Sequence, residues 1–401
     1  MNPENTSFEG RGNRGASKGA RGGHSPAIRA RTEISLAIGR ERRHKLSQSH
    51  SLMKTSPFIR VRAAALACFA LLACAVPTLF GADWISYEPK PGPGTGKHIV
   101  FLAGDEEYRS EEGLPMLAKI LSQRHGFKTT VLFSMGADGT IDPNNGGSLS
   151  HPEALDSADA IVMLLRFRHW PDDASKRFDA AVKRGVPIIA LRTSTHAFND
   201  YAKGSPWEDW NYGRKGGFGR QVLGETWVNH WGGHKSEATR GIIEPSAKSD
   251  PIFNGVADIF GLTDVYEAYP TADCKILLRG QVLKGMNHDD APADYKKKRA
   301  NDKMEQGIND PMMAIAWTRE NKNENGKNNR VFTTTMGAAT DLVTEDLRRL
   351  IVNAVYWGLA MPVPAKANVA IVDGYKPTAY GFDGFRKGVK PADLALGKPI
   401  E

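Results

Sequence analysis

Three short stretches of this chain gather the side chains able to bind hydroxyls and move protons: Asp105, Glu106 and Glu107; Arg166, Arg168 and His169; Arg192, Ser194 and His196. Carboxylates accept from hydroxyls, guanidinium groups donate to them, and imidazoles exchange protons near neutral pH. Glu106 or Glu107 with His169 or His196 is the better acid–base pairing by position, and Glu107, His169 and His196 form the candidate catalytic set. Ser194 with His196 does not make a hydrolase pair, because residues two apart on a turn rarely face each other and no acid partner is in view. A fourth stretch, 201–234, holds Trp207, Trp210, Tyr212, Phe218, Trp227 and Trp231 among many glycines. Aromatic faces such as Trp227 and Trp231 can cover the apolar face of a sugar ring, while its hydroxyls go to Asp105, Glu106, Arg166, Arg168, Arg192 and Ser194. His230 and His234 stand four apart and on a helix would share a metal ion. Gly232 and Gly233 between them argue against a helix, so no metal ligand is assigned, and the residues name no cofactor.

Each chemical stretch follows an apolar run that reads as a strand: 98–103, 160–165 and 186–191, with a further strand at 127–133. Between them lie helical patterns. Ser110 caps one, with Glu111 and Glu112 in its first turn, Leu114, Leu117 and Leu121 on one face, and Gly126 to stop it. Pro171, Asp172 and Asp173 open another, with Phe178, Ala181 and Val182 facing inward. Strand and helix in alternation predict an α/β fold, a doubly wound, mostly parallel sheet with helices on both faces. The second half is less regular, with strands expected at 240–243, 275–278, 312–317 and 330–335, a polar turn at 321–329, and a closing helix carrying Leu347, Leu350, Ile351, Ala354 and Trp357. In such sheets ligands bind beyond the carboxyl ends of the strands. The site is therefore expected between 105–109, 166–169 and 192–196, roofed by the aromatic loop 201–234.

The net charge of +8 is concentrated before the folded body: after residue 82 there remain 40 basic against 41 acidic side chains. A near-neutral body gives no electrostatic footprint for nucleic acid. From Met53, a charged start (Lys54, Arg60, Arg62), an apolar run from Ala63 to Ala73 and small residues make a signal-peptide pattern over 53–82. The run is too short to span a bilayer. Leu71 to Cys74 has the pattern of a bacterial lipobox, which makes Cys74 the residue for a lipid anchor. The expected product is exported, periplasmic or secreted. Residues 1–52, rich in Gly, Ser and Arg, read as a disordered or mis-assigned upstream extension; 83–97 reads as a linker, 98–360 as the domain, and 361–401 as a tail lying on the domain or loose. Of three cysteines only Cys274 falls in the body, so no disulfide forms within it.

An ordered set of segments then invites comparison: Phe101 to Gly104; Gly185 to Leu191 leading into Arg192 to His196; Asp250, Pro251 and Ile252 with Gly255; Asp264 to Tyr266; Arg330 to Gly337; and Asn353 to Trp357. Together, over about 260 residues, they resemble the trehalose-utilization (ThuA-like) family. The resemblance implies a class I glutamine amidotransferase-like fold and a carbohydrate substrate or ligand. It also implies a sharp turn after the strand ending at Leu191, where amidotransferases place a cysteine. Here that turn reads Arg192, Thr193, Ser194, Thr195, which excludes glutaminase chemistry by that route. Family members often have His at the positions of Arg192 and Ala338, and this chain departs from that pattern at both.

Overall fold

The computed structural model describes residues 82–401, so the expected extension, signal pattern and Cys74 lie outside the described residues. The chain runs β1 (Trp84–Tyr87), β2 (His98–Gly104), α1 (Ser110–His125), β3 (Lys128–Phe133), β4 (Ala160–Leu165), α2 (Asp172–Lys183), β5 (Ile188–Leu191), β6 (Thr239–Ile243), β7 (Ile259–Gly261), β8 (Cys274–Val282), β9 (Met313–Lys322), β10 (Asn328–Thr334) and α3 (Glu345–Gly358). These ten strands form one sheet in the order β1-β3-β2-β4-β5-β10-β9-β8-β6-β7. Its centre, β3-β2-β4-β5-β10, is parallel. Every pairing outside that centre is antiparallel. From β2 the chain crosses to β3 on one side and then to β4 on the other, so strand order reverses at β2 and a crevice opens between the ends of β2 and β4.

Period-two alternation sorts the central strands onto two buried faces. Ile99, Phe101 and Ala103 of β2 pack with Leu114, Leu117 and Leu121 of α1 and Leu347, Leu350 and Ile351 of α3. Val100 and Leu102 face the other way, toward Phe178, Ala181 and Val182 of α2. The α/β doubly wound sheet with helices on both faces is thus the observed architecture.

In four segments the structure goes further than the sequence reading. Residues 84–87, expected in a linker, form edge strand β1 against β3. The β9–β10 hairpin extends its pairing to Lys322 and Asn328, leaving a shorter turn than 321–329. The charged stretch 286–310 contains a short hairpin: Lys296–Lys298 pairs with Glu305–Gly307, and Lys297 Nζ donates to the carbonyls of His230 and Trp231, both at 2.9 Å. The tail 361–401 lies on the domain, with Ala367, Val369, Leu394 and Ile400 buried beside α1 and α3. Among the described residues no helix is long and apolar enough to cross a membrane.

Candidate functional site

Three strand ends deliver the site, and each turns through a non-glycine residue in the left-handed region: Arg109 after β2 (φ 59°), Phe167 after β4 (φ 51°) and Arg192 after β5 (φ 43°). Such conformations are uncommon for L-residues and persist where the surroundings over-determine them. Asp105 supplies part of that constraint. Its buried carboxylate accepts from the backbone N–H groups of Glu107 and Tyr108 and from the Thr193 hydroxyl, tying the first turn to the third. Burial, reinforced by the neighbouring Glu106 carboxylate, raises its pKa to about 6.

The resulting cleft is narrow, with a cavity volume of about 40 Å³, and is lined by Glu107, Tyr108, Arg166, Phe167, His196, Trp227, His230 and Tyr266. Drug-sized sites run to about 300–1,000 Å³, and this cleft as it stands is far smaller. Behind it lies a charged chain. His234 Nε2 is 3.3 Å from Glu107 Oε1, and its Nδ1 is 3.1 Å from Asp264 Oδ1. His230 Nδ1 is 2.8 Å from Asp264 Oδ2. The bonds to Asp264 and then Glu107 raise the His234 pKa to about 9. Burial pushes the Glu107 carboxyl up, but the His234 hydrogen bond and the charges of His234, Arg166 and Arg192 outweigh it, leaving a net fall. Glu107 therefore faces the cleft as a carboxylate. His196 is the opposite case: burial first, then the Arg166 and Arg192 charges, hold its pKa well below the ordinary value, so it is a neutral ring.

Of the residues singled out by sequence, Glu107, His196, Arg166 and Trp227 line the cleft. The others do not, for identifiable reasons. Arg192 is fully buried, donating to the Asp264 carboxylate (2.8 Å), the carbonyls of Asp264 and Thr335 (2.7 and 2.8 Å) and the Tyr108 hydroxyl (3.2 Å). Its guanidinium also lies 3.7 Å from the Tyr266 ring centre and 4.7 Å from that of Tyr108. With both terminal nitrogens so committed and the side chain fully buried, Arg192 positions Asp264 instead of meeting a ligand. Ser194 is buried, donating to the Met163 carbonyl and accepting from Leu165 N–H. Glu106 is spent on Arg166 and Arg168, and buried Arg168 donates further to the Pro143 carbonyl. Asp105 is the turn bracket described above. His169 is exposed against Gly146, away from the cleft.

The aromatic loop is mostly core. Tyr201, Trp207 and Phe218 pack with Phe178 and Phe198, and Trp231 is wholly buried with its indole N–H donating to the Ile308 carbonyl. Gly219 lies so close to the third turn that a Cβ there would collide with the Thr195 carbonyl. Only Trp227 of the loop's aromatic residues lines the cleft. The tail packs against residues of the cleft region: Gly381 N–H donates to the Glu107 carbonyl, and the Tyr380 ring stacks 5.3 Å from Tyr108 and meets His234 edge-on at 5.7 Å.

Sequence reasoning missed Asp264, Tyr266, Phe167 and the tail, and set aside His230 and His234. Asp264 and Tyr266 did stand in the segment pattern that suggested a family. The histidine pair was dropped on the assumption that only a helix brings i and i+4 together. Instead His230 ends a two-residue strand paired with Tyr266, and the Trp231 and Gly232 N–H groups both bind the Val265 carbonyl. The turn at Gly232 and Gly233 then brings the two rings to 4.6 Å. Ligand atoms of His230, His234 and Asp264 lie within 4.8 Å of one another, the group among the described residues with the spacing to share a metal ion. Cys274, at the start of β8, does not line the cleft, and burial raises its thiol pKa.

No protein-family model matches this chain, and no curated protein matches its sequence. Among solved structures the chain is similar to a protein described as ThuA-like from Parabacteroides merdae ATCC 43184, with 12% identity, TM-score 0.42, and 71% of this chain and 97% of that one covered. It is also similar to one so described from Bacteroides uniformis ATCC 8492, with 14% identity, TM-score 0.40, and 68% and 94% covered. The N-terminal domain of mmIFT52 gives 12% identity, TM-score 0.36, and 66% and 97% covered.

Proposed function

We propose that this protein binds a small carbohydrate in the strand-end cleft, with Glu107 as the group that accepts from, or takes a proton from, a ligand hydroxyl. The observation that supports this most is the composition of the cleft wall: an ionised carboxylate, the Arg166 guanidinium, a neutral imidazole at His196 and the half-exposed ring of Trp227 converge on one space. A sugar ring offers what that wall needs, hydroxyls for the charged groups and an apolar face for the indole. The segment pattern resembling ThuA-like proteins points to the same ligand class. In this reading the ligand is met outside the cytoplasm, because residues 53–82 have the pattern of an export signal.

Binding is tested by tryptophan fluorescence and calorimetry against a panel of monosaccharides and their oxidised forms. Saturable binding by at least one, weakened by about 1–3 kcal/mol in Arg166→Ala and Trp227→Ala, is the expected result. The reading fails if no sugar in the panel binds saturably, or if both variants bind as the parent does.

A further inference from the structure

We infer that His230, His234 and Asp264 form a site for a divalent transition-metal ion whose open coordination positions face the cleft. Both Nδ1 atoms approach the same carboxylate, at 2.8 and 3.1 Å, and the three ligand atoms sit within 4.8 Å of one another. Two imidazole nitrogens with one carboxylate oxygen suit Zn²⁺, Fe²⁺ or Co²⁺ better than Mg²⁺ or Ca²⁺, which prefer all-oxygen shells.

The surroundings of the triad supply an independent observation. Metal-binding histidines commonly donate their second ring nitrogen to a carboxylate or carbonyl, which fixes the ring and its tautomer. Glu107 stands in that position, 3.3 Å from His234 Nε2, leaving Nδ1 for the ion. Arg192 plays the corresponding part for Asp264, holding one carboxylate oxygen at 2.8 Å from fully buried ground. The histidine backbone is anchored as well, by Lys297 on the His230 carbonyl and by the Val265 carbonyl on Trp231 and Gly232. Each ligand is thus held by a partner that is not itself a ligand. Binding the ion releases the Nδ1 protons now shared with Asp264, as deprotonated ligands require.

Access decides the role. Asp264 is buried, but the side chains of His230 and His234 are 35% and 28% exposed, and His230 forms part of the cleft wall. An ion on this triad therefore has protein on one side and the cleft on the other, the arrangement of sites that keep a position for water or a ligand oxygen. The inference deepens the carbohydrate reading, since a ligand hydroxyl or carbonyl oxygen would complete the shell, but the ion alone tests it.

The test is titration of the chelator-treated full chain with Co²⁺ and with Zn²⁺, in the absence of sugar, by calorimetry and by the visible absorption of bound Co²⁺. One equivalent should bind, with a Co²⁺ spectrum of low coordination number. His230→Ala and His234→Ala should each lose stoichiometric binding while keeping the far-UV circular dichroism of the parent. Glu107→Gln, which touches no ion, should weaken binding by about 10–100-fold. Absence of stoichiometric binding to the parent overturns the site, as does binding that both histidine variants retain. Metal binding without sugar binding would refute only the carbohydrate reading, and sugar binding to metal-free protein with no metal uptake would refute only this one.

Discussion

Replacing Arg192 by Met should cost the fold far more than it costs any ligand directly. The guanidinium is buried and makes four hydrogen bonds, one of them to the Asp264 carboxylate, while lying over two tyrosine rings. Met fills much of the volume but takes the fully buried cation from Asp264, leaving its carboxylate only the partly exposed His230 and His234, together with two carbonyls that lose their donor. Removing one partner of a buried ion pair costs about 3–5 kcal/mol. Against a total stability of about 5–15 kcal/mol for a folded domain, this is a large fraction. Urea denaturation followed by circular dichroism measures it. Arg192→Lys keeps the charge but loses the planar fork and the ring stacking, and should fall between parent and Met variant. The double variant Arg192→Met with Asp264→Leu removes the stranded charge and should lose less than the sum of the two single changes. An Arg192→Met protein within about 0.5 kcal/mol of the parent, with ligand binding abolished, would refute this reading and restore Arg192 to the ligand-binding set.

Glu111 is buried in the first turn of α1 with neither carboxylate oxygen hydrogen-bonded, and burial raises its pKa to about 8. A carboxyl raised in the folded state contributes stability that is present below its unfolded pKa and lost as pH rises through about 8. Denaturation midpoints of the parent should fall between pH 5 and pH 8.5 by on the order of 3 kcal/mol relative to Glu111→Gln, and parallel pH profiles for the two proteins would contradict it. Trp227→Ala and Trp231→Ala should separate binding from packing: the buried indole of Trp231 should cost about 3–5 kcal/mol of stability, while Trp227→Ala should leave denaturation nearly unchanged and weaken sugar binding. Equal stability losses would refute that division. Glu112 accepts from both the N–H and the hydroxyl of Thr378 at 2.8 Å. Glu112→Ala should loosen the tail segment and increase protease cleavage near residues 378–386, with unchanged cleavage counting against the tail's attachment through this pair. Alkylation of Cys274, which lies off the cleft, should leave sugar binding intact.

Strand and helix periodicity and the glycines after α1 and α2 determined the parallel centre of the sheet from sequence alone, because these signals are local and repeat within a turn or two of chain; Ser110, expected as a cap, instead lies inside α1, whose N-cap is Arg109. The same periodicity places the residues after β2, β4 and β5 at one sheet edge, which is why Glu107, His196 and Arg166 were found. Which charges at that edge are free was decided only by tertiary packing. Arg166 and Arg192 are indistinguishable in sequence, both standing directly after an apolar strand; one opens onto the cleft, and the other is enclosed by Tyr108 and Tyr266, residues 84 and 74 positions away along the chain. Trp227 and Trp231 differ in the same way, since the carbonyl that binds the Trp231 indole comes from Ile308, 77 residues on. His230 and His234 meet at Asp264 because Val265 holds the backbone between them. Burial and pairing of a side chain depend on what the rest of the chain brings to it, and those partners are separated by distances over which sequence pattern carries no signal.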